Sequence, residues 1–161
     1  MRLPLRLTLP ATAATVAALA FAGPAMADAP KFHSASSSVN NAGGLVADFD
    51  ERGLGNENID YTLTADATAV YACINGGDNH PQAANKETVN AEVSAAGSFE
   101  PKNGRVVASL TADAPSAGSF DCPNGQELRL AGVSYTNVDL TDTTNAASAS
   151  LADASRTLLA L

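Results

Sequence analysis

The sequence has no tryptophan, two cysteines and two histidines in 161 residues, and its cations are outnumbered, nine Lys and Arg against 17 Asp and Glu. Each shortage excludes something. His33 and His80 stand 47 positions apart and neither belongs to an H-x-x-x-H pair, so a zinc centre lacks its three or four convergent ligands. No serine occupies a G-x-S-x-G elbow, and a triad would have to recruit one of those two histidines, which leaves acyl transfer without visible machinery. Cys73 and Cys122 are too distant in sequence for a C-x-x-C redox or zinc motif. The missing tryptophan removes the ring that often lines a sugar cleft. No Asn-x-Ser/Thr sequon occurs although asparagine is plentiful, which favours a bacterial secretion route over a glycosylating one.

The N-terminus reads as an export signal. Arg2 and Arg6 form a positive start, Leu7 to Ala22 is nearly free of charge, and Gly23-Pro24 breaks any helix. Ala25-Met26-Ala27 then offers small residues at the two positions a signal peptidase accepts, so cleavage is expected between Ala27 and Asp28. The apolar run is short for a membrane span of about 20 residues. No cysteine follows the cut to carry a lipid, and no L-P-x-T-G sorting motif appears. The mature chain is therefore expected outside the cytoplasm, released or held to the cell wall by non-covalent contacts, with no membrane span.

Residues 28–161 carry seven Lys and Arg against 17 Asp and Glu, a net charge of −10. Phosphates would be repelled, which argues against nucleic acid or an anionic membrane as partner. Leu, Ile, Val and Phe supply 26 of these 134 residues, a thin core for one domain. A small core needs a staple, and two cysteines in an exported chain leave one pairing, Cys73–Cys122.

Residues 28–38 are small and polar without a period and are expected to form a loose N-terminal arm, leaving 39–161 as the folded domain. Strand signals follow. Leu45, Ala47 and Phe49 alternate with Val46, Asp48 and Asp50, and Ile59, Tyr61 and Leu63 with Asp60, Thr62 and Thr64. Val70 to Ile74 is apolar on both faces, as a central strand would be, and Val89–Val93 and Val106–Leu110 alternate again. Between Leu128 and Leu140 the apolar phase shifts twice, which predicts bulges near Gly132 and Asn137. Turn formers separate the runs, among them Pro101-Lys102-Asn103-Gly104, where Asn-Gly tolerates positive φ. The Ala-rich stretch 146–154 is the one helix candidate.

These signals predict an all-β fold: a single β-sandwich, immunoglobulin-like in outline, of seven or eight short antiparallel strands with one inter-strand disulfide. The segments Leu63–Gly76 and Leu110–Gly125 echo each other, an aromatic two residues before each cysteine and Asn-Gly after it. They read as two similar strand–turn units facing each other across the disulfide.

Hard oxygen ligands cluster from Asp48 to Asp60, and Asp48, Asp50, Glu51 and Asp60 are the candidate Ca²⁺ ligands. Laid on an EF-hand loop, however, Arg52 takes the fifth position and Ile59 the twelfth, where a bidentate Glu belongs. The EF-hand reading fails, and a solvated acidic loop is the simpler account, with no metal or other cofactor required.

At Tyr61-Thr62-Leu63, Tyr71–Gly77, Ala83-Ala84-Asn85-Lys86, Pro101–Gly104 and Cys122-Pro123-x-Gly125-Gln126 the chain resembles a group of small, functionally uncharacterised secreted proteins of actinomycete bacteria. The resemblance implies export and a one-disulfide β domain, and it carries over no active site.

The leading functional expectation is a non-enzymatic extracellular binding or envelope-associated domain, its partner an extracellular protein or cell-wall component. Its contact loop would be Gly76–Lys86, with Asp78, Asn79, His80 and Lys86 as candidates. A second expectation is a protease inhibitor presenting Ser119-Phe120-Asp121 or the same loop, and a third a carboxylate-based hydrolase.

Overall fold

Period-two alternation becomes two facing antiparallel sheets in the computed structural model, which describes residues 29–75 and 85–160. The strands are β1 (Lys31–Val39), β2 (Leu45–Arg52), β3 (Ile59–Asn75), β4 (Lys86–Phe99), β5 (Arg105–Ala112), β6 (Gln126–Asp142), β7 (Ala147–Ser150) and β8 (Ala154–Thr157). One sheet has the order β1-β2-β5; the other has β4-β3-β6-β7, with β8 also paired to β6. An immunoglobulin constant domain keeps its fourth strand beside the fifth. Here β4 pairs β3 in the opposite sheet, so the likeness is one of outline. No helix among the described residues is long and apolar enough to cross a membrane.

The predicted inward residues of β2 and β3 face the core, whereas on β4 Val93 is buried and Ala91 exposed. Leu45, Ala47 and Phe49 on β2, and Ile59, Tyr61, Leu63, Ala65, Ala67 and Ala69 on β3, are all buried. Fully burying one such large side chain stabilises the fold by about 1.5–3 kcal/mol. Many of the buried positions are alanine, which brings the sheets together with little apolar area per residue.

Both predicted bulges are present in β6. Its ladder with β3 shifts register between Val70 and Tyr71, opposite Gly132 and Leu130, and again between Thr64 and Asp66, opposite Asp139 and Thr136. Asn137, in the second bulge, has φ +51°, a value Asn tolerates better than most residues. The extra residues return Val133 and Tyr135, then Val138 and Leu140, to the core. The edge strand opposite breaks at the same level. β7 pairs Asp139–Asp142 and β8 pairs Gly132–Tyr135, with Leu151 N–H bonded to Val138 O at 2.8 Å in the gap. The Ala-rich stretch expected as the helix candidate supplies β7 and the first residue of β8 instead.

Three further expectations are corrected. Residues 28–38, expected as a loose arm, belong from Lys31 on to β1 (Lys31–Val39), which pairs with β2 along its length. His33 is left out of that pairing as a bulge, so the half-buried residues run Phe32, Ala35, Ser37, Val39 and show no clean alternation. Second, the strands are not all short, since β3 and β6 have 17 residues each. Third, the two echoing segments are not equivalent. Leu63–Asn75 is continuous strand, whereas β5 ends at Ala112 and Cys122 lies in the connection to β6. The disulfide, with Cα atoms 5.5 Å apart, therefore ties a loop to β3 rather than strand to strand.

Closing a 49-residue separation, that bond is expected to contribute about 4 kcal/mol by restricting the unfolded chain. Urea unfolding of the Cys73→Ser/Cys122→Ser double variant should show a loss of that order. A loss below about 1 kcal/mol would mean that the 113–125 connection holds without the bond.

Candidate functional site

Strand alternation decides where each acidic candidate points. Asp48 and Asp50 face outward from β2, where Asp48 accepts a hydrogen bond from the Ser109 hydroxyl. Asp50 accepts from Arg52 Nε and Nη2 at 3.3 and 2.8 Å, and from Arg105 Nε and Nη2 at 2.8 Å each. Glu51, between them, must face inward and is fully buried. Asp60 is exposed on β3, its carbonyl accepting from Thr143 N–H at 2.8 Å. The four expected Ca²⁺ ligands thus diverge, because β2 runs through Arg52 and sends alternate residues to opposite faces. Among the described residues no group of three or more His, Cys, Asp or Glu is placed to hold a metal.

What the structure assembles instead is a row of cations. Across the β1–β2 ladder Lys31 stands opposite Arg52, and across β2–β5 Arg52 stands opposite Arg105. Like charges directly opposite on one face destabilise a sheet. Asp50 is the counterweight. Its carboxylate takes four N–H donors from the two guanidiniums, and these bonds, Arg52 first and then Arg105, hold its pKa far below the usual carboxylate range. Asp50 in turn raises the Arg105 pKa. One carboxylate against three cations leaves the row positive in an acidic molecule. Lys102 and Glu100 border the far side of Arg105 and offset one another.

Beside this row lies a cavity of about 780 Å³ lined by Ala29, Lys31, Phe32, His33, Arg52, Gly53, Leu54, Asn103 and Gly104. Local sequence explains its walls. The bulge at His33 turns an edge-strand side chain towards the opening, as bulges near sites often do. Asn103 and Gly104 have φ +53° and +72°, the two-residue hairpin geometry in which Lys102 and Arg105 exchange backbone bonds at 2.8 and 3.2 Å. Gly104 O accepts from Leu54 N–H at 3.0 Å, which closes one wall. A Cβ on Gly104 would lie 3.1 Å from Leu54 O, so this wall is built for glycine. Beneath the floor, Phe32 and Phe49 from one sheet meet Tyr61 and Phe99 from the other, with Phe49 and Tyr61 ring centres 4.6 Å apart. Aromatic contact therefore fixes the sheets to each other directly under the cationic end.

Glu51 sits in that floor. Among the described residues neither of its carboxyl oxygens nor the Tyr61 hydroxyl has a hydrogen-bond partner, although all three atoms are buried. Tyr61 and Asp142 are the polar groups that act on it. Asp142, also fully buried, accepts from Thr144 N–H, Asn145 N–H and Asn145 Nδ2 at 2.7–2.9 Å and so fixes the turn after β6. Burial pushes the Glu51 pKa up, and the neighbouring Asp142 carboxylate adds to the rise; the Tyr61 hydroxyl opposes it. Burial likewise pushes up the Tyr61 hydroxyl. One proton on Glu51 would turn it into a donor towards Asp142 while leaving an oxygen to accept from Tyr61.

The other expected site residues fall elsewhere. Lys86 begins β4 and pairs with Ala72, near the disulfide. That is the opposite end of β3 from Tyr61, about 35 Å away at ~3.3 Å per residue. The remaining loop candidates Asp78, Asn79 and His80, and the cleavage-site residues Ala25, Ala27 and Asp28, lie outside the described residues. The expected inhibitory segment Ser119-Phe120-Asp121 lies in the β5–β6 connection. That connection is braced by the Tyr71 hydroxyl on Pro115 O at 2.6 Å and by the disulfide. Sequence reading passed over Lys31, Phe32, Arg52 and Arg105 as site residues. Their signal is a cation at one end of each strand of the β1-β2-β5 sheet, and it needs the register to be seen. No protein-family model matches the chain, and no curated protein matches it.

Glu51 yields a signed expectation. Its pKa is raised in the folded state above 4.5, so the fold is least burdened below that pH and loses stability as pH rises towards the folded pKa. Gln at this position mimics the protonated form, donating to Asp142 and accepting from Tyr61. Chemical unfolding of Glu51→Gln should show a gain of about 1–3 kcal/mol at pH 7 and a flatter profile between pH 4 and 7. A loss at pH 7 would mean that the charged form is the one the fold uses.

Proposed function

We propose that the chain is an exported, non-enzymatic binding domain that holds its partner at the cationic end of the sandwich. The observation that carries this reading is the Lys31–Arg52–Arg105 row beside the cavity. It collects three of the seven cations of residues 28–161 at one edge, in a register that costs sheet stability. Two of its members are locked by Asp50, and three of the five N–H donors of Arg52 make no hydrogen bond among the described residues. Pre-ordered donors around a concavity with an apolar floor are the usual anatomy of a binding site. Export rests on the leader-like residues 1–27 and on the disulfide, a bond that persists in oxidising compartments.

A protease inhibitor is the second reading, and the braced connection favours it. Its tip argues against it: Phe120 N–H closes a turn on Ala117 O at 3.1 Å and Gly118 has φ +63°. A protease cleft takes an extended segment, and this tip is folded back.

The test is retention of partners from the culture filtrate and wall fragments of the producing organism by the oxidised protein beginning at Asp28. Lys31→Glu should reduce retention at least tenfold, and moderate salt should elute the partner. Ser119→Arg at the braced tip should leave retention unchanged. The reverse pattern, with a protease on the beads, would establish the inhibitor reading instead.

A further inference from the structure

The cavity at the cationic end is neither purely polar nor purely apolar, and its two halves come from different elements. Lys31 and Arg52 bring positive charge, and these two with His33 bring N–H donors, from β1 and β2. Phe32, Leu54 and Ala29 form an apolar wall, and Gly53 and Gly104 let backbone approach closely. Phe32 is half-buried, with one edge against Phe49 at a centroid distance of 6.1 Å and part of its ring left to the cavity. None of the described residues lining the cavity is acidic. Asp50, the carboxylate of the row, offsets part of the charge of Arg52 and Arg105 but leaves Lys31 unpaired by it and three Arg52 N–H donors without a hydrogen bond among the described residues.

From this arrangement we infer that the cavity binds a small amphiphilic anion, a carboxylate or similar acid carrying an apolar chain or ring. The acid group lies among the Lys31 ammonium, the His33 imidazole and the free donors of Arg52, and the apolar body lies on Phe32 and Leu54. A guanidinium takes a carboxylate through paired N–H donors, and Arg52 is held in place for this by its bonds to Asp50. The volume, about 780 Å³, admits a body the size of a medium-chain acid with room for water. A neutral ligand of the same shape would leave the cations without a partner. A cationic one would be repelled. This inference rests on the binding reading above and narrows it to a chemical class.

The experiment is a titration of the oxidised, isotope-labelled protein beginning at Asp28, followed by amide NMR, with decanoate, decanol, decyltrimethylammonium and acetate as probes. Decanoate should shift amides of Lys31–His33, Arg52–Leu54 and Asn103–Gly104 saturably. Decanol and acetate should each bind at least tenfold more weakly, and decyltrimethylammonium should leave these amides unmoved. Lys31→Glu and Phe32→Ser should each weaken decanoate at least tenfold; Arg129→Glu, on β6 away from the cavity, should not. Equal binding of decanoate and decanol, or shifts elsewhere in the sandwich, overturns the inference. If decanoate fails while partner retention still depends on Lys31, the ligand class is wrong and the binding end stands. If neither depends on Lys31, both readings fall together.

Discussion

β3 is hydrogen-bonded along both edges, to β4 on one side and β6 on the other, and it carries the disulfide near one end and Tyr61 near the other. Its register is the constraint on which the rest depends. A slip of one residue would expose Tyr61, Leu63 and the row of buried alanines and would bury the Asp and Thr residues between them. The core is alanine-rich, so the penalty for such a slip is modest per position and must be enforced over length. A strand of 17 residues, paired with β4 over Ile59–Ala72 and with β6 over Tyr61–Asn75, supplies that length, and the two bulges in β6 let the partner strand follow the twist without losing its inward set.

The cationic end follows from this spine. Tyr61 reaches across to Phe49 and Phe32, which sets how far β1 and β2 extend beneath the cavity. With β2 fixed there, alternation leaves no freedom: Phe49 and Glu51 go inward, Asp50 and Arg52 outward. The same four residues therefore build the aromatic floor, a buried carboxylate and the charge network of the rim. A stable floor and a polarised rim are one structural decision, made by the phase of a single strand.

Most of the fold was legible because alternation is a local property. Leu45–Phe49, Ile59–Leu63 and the double phase shift of Leu128–Leu140 announced strands, faces and bulges without any partner being known. β1 was not legible, because the bulge at His33 places Phe32 and Ala35 three apart and removes the period a strand is recognised by. The site was illegible for a related reason. Asp48-Phe49-Asp50-Glu51-Arg52 looks like an acidic loop in sequence, yet extending the Leu45–Phe49 alternation by two residues would have sent Glu51 to the core and dissolved the calcium cluster. The cation row needed more than alternation. Lys31, Arg52 and Arg105 are dispersed over 75 positions and become neighbours only once two ladders are in register.

That row also separates stability from use. Three cations placed opposite one another cost sheet stability, and a chain selected for stability alone would alternate their signs across the ladder. Asp50 offsets part of the repulsion, but its position serves a second end, since it holds two guanidiniums in fixed orientation with donors to spare. The unpartnered Glu51 beneath shows the same departure in the core, where an apolar residue would pack without loss. Local rules are broken twice within one stretch of β2, on both of its faces and at one end of the molecule. Departures from local consistency are common where a protein does its work, and these two meet at the end of β2 whose Arg52 borders the cavity.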